Sequence, residues 1–102
     1  MVEVRNNEQR RRYEILDGLG VAGFAQYVIR PGRVILVHTE IDPAFEGRGL
    51  GSKLAAGALD DIRSRGLRVV PLCPFIEAYI ESHPEYQDLV DRDAVAALAR
   101  KY

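Results

Sequence analysis

The chain has 102 residues, of which 47% are hydrophobic and 28% charged, and its formal net charge is −1. This length allows one hydrophobic core, and the balanced charge argues against a nucleic-acid or membrane-surface protein, which usually carries a basic excess. The sequence has no apolar run long enough to span a membrane, a polar N-terminus unlike a signal peptide, and a single cysteine that suits a reducing compartment. We therefore expect one cytoplasmic domain over residues 1–102.

Four strands are predicted in the first part of the chain. Apolar residues alternate with polar ones at the start and again around Tyr13, and turns are predicted at Asn6-Asn7 and Asp17-Gly18. The runs 21–30 and 33–41 are β-branched and apolar, as is typical of strands. Together these runs predict an antiparallel meander.

Helices dominate the second part. The first has apolar residues every four positions, at Leu50, Leu54, Ala58 and Ile62. The run 67–72 predicts a buried strand parallel to the fourth, because a helix separates the two. The run 74–82 predicts a second helix, and 91–102 a third, capped by Asp91 and ending in Arg100 and Lys101. The predicted fold class is α/β, with helices packed on a mixed sheet.

Three glycines stand where the first helix begins, at Gly47, Gly49 and Gly51. Glycine inside a helix costs roughly 1 kcal/mol relative to alanine. The first amides of a helix are unpaired and electropositive, so bare backbone there suits a phosphate; alternatively, the glycines only relieve crowding in a tight turn. The phosphate-loop pattern and the G-x-G-x-x-G dinucleotide pattern are both absent.

The segment "IDPAFEGRGLGSKL" resembles the acetyl-CoA-binding segment of the GNAT N-acetyltransferases, whose pattern is Gln/Arg-x-x-Gly-x-Gly/Ala. Gly49 and Gly51 match it, and Glu46 stands where Gln or Arg is usual. With "PLCPFIEAYIESHPEYQDLV", the chain is similar to the small YJDJ-type branch over about residues 3–90. This implies a minimal GNAT-like fold with a four-strand meander, glycine turn, helix, parallel fifth strand and C-terminal helices. It lacks the elements that help to wall the acceptor site in full-size relatives.

The resemblance also implies a place for acetyl-CoA. Its pyrophosphate is expected on the backbone amides of the turn, at Gly47, Arg48, Gly49, Leu50, Gly51 and Ser52. The pantetheine arm is expected to run beside the fourth strand, near Thr39, Glu40 and Ile41, into a gap where strands four and five separate. Arg48 and Lys53 are either partners for the negative cofactor or solvated helix charges.

Four residues are candidates for catalysis. Cys73 precedes Pro74 at a helix start and, in the resemblance, sits where many GNAT proteins carry an asparagine near the thioester; it either accepts the acetyl group or only packs. His38 and Glu40 share one face of a strand, as a base with its orienting partner or as a solvated pair. Tyr79 invites comparison with the tyrosine acid of many GNAT enzymes, although counting from Cys73 places that acid one residue later, and core packing is its alternative.

Two other features are expected to be structural. His83 is predicted to cap the second helix, and Arg10-Arg11-Arg12 to lie on a strand as a solvated edge or as a grip on the cofactor's 3′-phosphate. No metal is expected, because two histidines and one cysteine far apart show no ligand spacing.

The sequence thus predicts an N-acetyltransferase that moves an acetyl group from acetyl-CoA to an amine. One alternative is a non-catalytic module that senses acetyl-CoA or CoA and acts on a protein partner. Another is a partner-binding domain whose glycines are only structural. No nucleic acid or membrane partner is expected, and an exposed strand edge is compatible with a monomer or a dimer.

Overall fold

The computed structural model describes residues 2–18 and 20–101, with side chains as far as Leu98. Its sheet has five strands in the order β1 (Val2–Asn7), β2 (Arg12–Asp17), β3 (Gly20–Arg30), β4 (Arg33–Ile41) and β5 (Arg68–Pro71). The first four are antiparallel neighbours, and β5 pairs with β4 in parallel. The predicted meander and the parallel fifth strand are confirmed.

Three α-helices follow the meander: α1 (Leu50–Ser64), α2 (Pro74–Ser82) and α3 (Arg92–Lys101). Two short 3₁₀ segments, Pro43–Phe45 and Pro84–Leu89, have no strong sequence pattern and were not expected. In the part of the chain that the structure describes, no helix is long and apolar enough to cross a membrane.

Two predicted helix caps are present. Asp91 Oδ1 accepts a hydrogen bond from the Ala94 amide at 3.0 Å, which starts α3. His83 Nδ1 lies 2.8 Å from the Tyr79 carbonyl oxygen at the end of α2. The side chains of the basic residues expected at the end of α3, Arg100 and Lys101, lie outside the described side chains.

The first turn differs from the prediction. Asn6 and Asn7 belong to β1, and the turn falls at residues 8–11, so that Arg10 and Arg11 are not on a strand and only Arg12 begins β2. The Asn7 side chain accepts a hydrogen bond from the Arg10 amide at 3.2 Å, so it stabilises the turn that follows it. Arg11 has a φ of 54°, which closes the turn in the left-handed region.

Helix α1 packs its apolar stripe on one face of the sheet. Leu54, Leu59 and Ile62 are fully buried there, and each such side chain contributes about 1.5–3 kcal/mol relative to exposure. The Tyr13 hydroxyl on β2 donates to Asp61 on α1 at 2.7 Å, which ties the helix to the meander. This packing fixes the position of the start of α1 relative to the end of β4.

The opposite face of the meander, here the open face, carries polar side chains in cross-strand rows. One row contains Glu14, Phe24 and Glu40, and the next contains Arg12, Gln26 and His38. Glu14 is 2% exposed, and its carboxylate accepts hydrogen bonds from Arg12 Nε at 2.8 Å and from Asn7 Nδ2 at 3.2 Å. Burial opposes its ionisation, but these hydrogen bonds outweigh burial and hold the pKa of Glu14 below its ordinary value.

Candidate functional site

The turn between β4 and α1 needs glycine for its backbone. Gly47 and Gly49 have φ angles of 84° and 72°, in the left-handed region that other residues enter at a cost. A side chain at either position would meet no heavy atom within 4 Å. Gly49 is the N-cap residue of α1, and no side chain caps the helix there. The first amides of α1 therefore have neither an intrahelical acceptor nor a side-chain acceptor.

Gly51 is required for a different reason. A Cβ at this position would lie 2.9 Å from Cζ of Phe75, so the aromatic ring rests on the bare backbone of the first turn of α1. Phe75 belongs to the first turn of α2 and is 42% exposed. The absence of a side chain at Gly51 thus allows the starts of the two helices to pack closely. The spacing of the glycines in the sequence does not reveal this steric requirement.

A groove of about 400 Å³ runs from the glycine turn to the end of β4. It is lined by Thr39, Ile41, Phe45, Glu46, Gly47, Gly49, Leu50, Gly51, Ser52 and Phe75. The two phenylalanines were not predicted as site residues, because an aromatic residue next to a short helix is too common to indicate a site. The groove joins the predicted phosphate-binding turn to the predicted pantetheine strand.

Strands β4 and β5 separate at Leu36. Its carbonyl oxygen accepts two hydrogen bonds, from the amides of Leu72 and Cys73, each at 3.0 Å. Directly after it, the register with β3 passes from Leu36 to His38 and leaves Val37 as an extra residue, a β-bulge. Beyond the bulge β4 continues without β5 beside it, as the family resemblance implies.

The end of β4 directs alternate backbone groups toward this gap. The Asp42 amide donates to the Ala22 carbonyl on β3 at 2.8 Å. Because hydrogen-bonded pairs alternate along an antiparallel ladder, the backbone of Glu40 also faces β3, whereas the amides and carbonyls of Thr39 and Ile41 face away from it. Thr39 and Ile41 therefore offer the free backbone groups at this edge.

Cys73 lies directly behind Thr39. The thiol donates to Thr39 Oγ1 at 3.3 Å, and the cysteine is 4% exposed. Thr39 lines the groove, so this contact closes the inner end of the gap between β4 and the start of α2. The resemblance implies that Cys73 lies near the thioester and Thr39 beside the pantetheine arm, and the structure brings the two side chains into contact.

His38 and Glu40 form a pair on the open face. His38 Nε2 lies 3.2 Å from Glu40 Oε1, and their side chains are 53% and 63% exposed. The ring of Phe24 approaches the His38 ring edge-on, with centroids 6.1 Å apart. When Nε2 carries the proton, it donates a hydrogen bond to Glu40. Nδ1 then has a free lone pair and can accept a proton from another group.

Tyr79 is set apart from these groups. It stacks on His83 with ring centroids 3.9 Å apart, and it lies six positions after Cys73, about 9 Å along the helix axis. Burial, with the nearby carboxylates of Glu85 and Asp60, raises the pKa of Tyr79 and keeps its phenol protonated. A catalytic role for Tyr79 stays a prediction.

The two cations of the turn differ. Arg48 Nη1 contacts Asp17 Oδ2 at 3.1 Å, and its guanidinium lies 5.5 Å from the centre of the Phe45 ring, so it ties the turn to β2. Lys53 is exposed on the first turns of α1. Neither residue lines the groove.

Comparison with known proteins identifies one matching family model and several relatives. Residues 12–89 match the family model described as GCN5-related N-acetyl-transferase. The protein NATD1 of mouse is 31% identical over 85 residues, covering 81% of this chain and 77% of NATD1; the zebrafish NATD1 is 27% identical over 93 residues, covering 87% and 84%.

The fold has a counterpart among solved structures. A GCN5-like protein from Staphylococcus aureus, solved by NMR, superposes with a TM-score of 0.65 at 22% identity, covering 86% of each chain. The YJDJ-type branch stays a prediction, whereas the family match spans most of the sheet, the glycine turn and α2. The chain belongs to the GCN5-related N-acetyltransferase family.

Proposed function

We propose that this protein binds acetyl-CoA in the groove at the glycine turn and transfers the acetyl group to an amine. The observation that carries the proposal is the continuity of this groove. It joins uncapped helix amides to free backbone groups of β4 and ends at Thr39, behind which Cys73 lies. A long, flexible ligand with a phosphate at one end and hydrogen-bonding amides along its arm matches this order of groups.

The residues of the turn suit a pyrophosphate. The left-handed φ angles of Gly47 and Gly49 leave the backbone bare on the groove side, and the positive end of the α1 dipole favours an anion there. Phe45 and Phe75 provide apolar walls for an aliphatic arm. Thr39 and Ile41 offer backbone groups to the amides of that arm, and Glu40 contributes its side chain to the open face instead.

The proposed chemistry needs a base for the amine. Bound acetyl-CoA supplies an activated acyl group as a thioester. His38, held by Glu40, accepts the proton that the amine nitrogen loses as the new N–C bond forms. The thioester C–S bond breaks, and the proton passes from the His38 ring to the sulfur, so that the products are an amide and free CoA thiol.

Cys73 supports a second route to the same products. Its thiol would first exchange with the thioester, forming a protein thioester and free CoA, and the amine would then attack that thioester and release the thiol. Because Cys73 is 4% exposed and donates to Thr39, this route requires the contact between the two residues to open.

A combined binding and mass measurement tests the proposal. The wild-type protein and Cys73→Ala are incubated with acetyl-CoA, and unfolding temperature and intact mass are recorded for each. We expect both proteins to be stabilised by acetyl-CoA. A single acetyl adduct confined to the wild type identifies the route through Cys73. Stabilisation without an adduct leaves direct transfer and non-catalytic sensing as the two alternatives.

A free-thiol assay on the same samples, with an amine added, separates these alternatives. Stabilisation by acetyl-CoA with no release of free thiol in the presence of any amine would support the non-catalytic sensing module. No stabilisation at millimolar acetyl-CoA would contradict the proposal and leave the glycines as structural. The compartment, the single-domain organisation and the oligomeric state stay predictions.

A further inference from the structure

The open face carries a second groove, of about 580 Å³, that the proposed cofactor site does not use. This volume is in the range of small-molecule sites. It is lined by Arg12, Val21, Ala22, Gly23, Phe24, Glu40, Ile41, Asp42 and Pro43. Ile41 lines both grooves, so the two lie on either side of the end of β4.

Among the described residues, Arg12 is the one cation that lines this groove. Arg12 pairs with the buried Glu14 at 2.8 Å, and its guanidinium lies 4.5 Å from the centre of the Phe24 ring. Arg5 also approaches Glu14 at 3.8 Å but does not line the groove, so the side chains that line it carry one positive and two negative charges. Arg12 thus lies against one face of the Phe24 ring in a cation–π contact.

Two carboxylates remain. Glu40 is paired only with His38 among the described residues, and Asp42 forms no salt bridge with them. Asp42 Oδ1 accepts a hydrogen bond from the Ala44 amide at 2.9 Å, which leaves Oδ2 open. The groove thus combines an aromatic wall with an excess of negative charge, and its chemistry is complementary to a cation.

We propose that this groove binds the acceptor, and that the acceptor is a small diamine with both nitrogens protonated in solution. The inference rests on the proposed function. Glu40 and Asp42 are two positions apart on an extended segment and both line the groove, so their backbones are about 7 Å apart. A chain of four or five carbons spaces two ammonium groups over a similar distance.

The two nitrogens have different roles. The first lies beside Glu40 and His38, and it loses one proton through His38 to water to become a neutral amine. As its bond to the acetyl carbon forms and the thioester C–S bond breaks, its second proton passes through His38 to the CoA sulfur. The second nitrogen stays charged at Asp42, and the carbon chain packs on Phe24. The product carries one positive charge instead of two, so it binds the two carboxylates less well and leaves.

A titration followed by NMR tests this without requiring turnover. The ¹⁵N-labelled full chain, with CoA present, is titrated with 1,4-diaminobutane and in parallel with butylamine. We expect amide shifts at residues 20–24 and 40–42, with the diamine half-saturating at a concentration about two- to fivefold lower than the monoamine, the size of one exposed ion pair. The isosteric variant Asp42→Asn keeps the side-chain acceptor for Ala44 and should remove this difference.

The outcomes distinguish the two proposals. Equal affinity for the two amines, shifts elsewhere in the chain, or no shifts would overturn the acceptor groove. An unchanged diamine preference in Asp42→Asn would overturn the role of that carboxylate and with it the proposal. Shifts of the amides at 47–52 on adding CoA alone report separately on the cofactor site, so their absence contradicts the proposed function while the amine titration still decides the groove.

Discussion

Gly49 offers the sharpest test of the glycine turn, because α1 has a matched control at its other end. Gly49 has a φ of 72°, and Gly66, just after the helix, has a φ of 69°; a Cβ at either would meet nothing within 4 Å. Alanine at a left-handed position costs about 1–2 kcal/mol. Gly49→Ala and Gly66→Ala should therefore reduce the free energy of unfolding by similar amounts.

The magnitudes follow from the size of the chain. For a domain of about 100 residues, 1 kcal/mol changes the melting temperature by about 4–8 °C, so each variant should melt roughly 4–16 °C lower. Acetyl-CoA at 100 times its Kd should stabilise the wild type and Gly66→Ala by about 2.7 kcal/mol. If Gly49→Ala weakens binding tenfold, the same concentration stabilises it by only about 1.4 kcal/mol.

The assay is thermal unfolding of the three proteins with and without acetyl-CoA. The reasoning is refuted if Gly49→Ala keeps the full stabilisation, because the turn then does not hold the ligand. It is also refuted if Gly66→Ala loses as much stabilisation as Gly49→Ala, because the effect then reflects backbone strain in α1 instead of contact with the ligand.

Two further predictions concern charges. Glu14→Gln should lower the free energy of unfolding at pH 7 by about 1–2 kcal/mol, since it weakens the hydrogen bond with Arg12. Because the folded pKa of Glu14 is lowered from 4.5, the difference from wild type should be full above that value and shrink as the pH falls through the folded pKa; a constant difference in acid denaturation curves would contradict this. Asp17→Asn should raise CoA affinity about twofold at low salt, because it leaves the charge of Arg48 unmatched, and calorimetry at high salt should show no change.

Local patterns were sufficient for the α-helices of the second half. The four-residue apolar repeat predicted α1 starting at Leu50, and Pro74 with the following residues predicted α2 over its observed range. Both patterns work because burial on one face and a proline at the helix start act within a few residues. The Asn6-Asn7 turn was wrong because asparagine serves equally before a turn and within it.

The family was also accessible from the sequence, through the resemblance of two segments to the GNAT N-acetyltransferases. Three parts of the site depended on the tertiary structure. The hydrogen bond between Thr39 and Cys73 joins residues 34 positions apart, the ring of Phe75 on α2 explains Gly51 on α1, and the bulge at Val37 exists only in the register with β3.

The same division holds for the open face. Alternation along β4 placed His38 and Glu40 together, because side chains two positions apart on a strand share a face. Alternation did not predict that Phe24, Arg12 and Asp42 line the same groove as Glu40. That arrangement depends on how β2, β3 and the end of β4 align. A strand's own sequence determines which side chains share its face, whereas the pairing of strands and the packing of helix starts decide which of them share a groove.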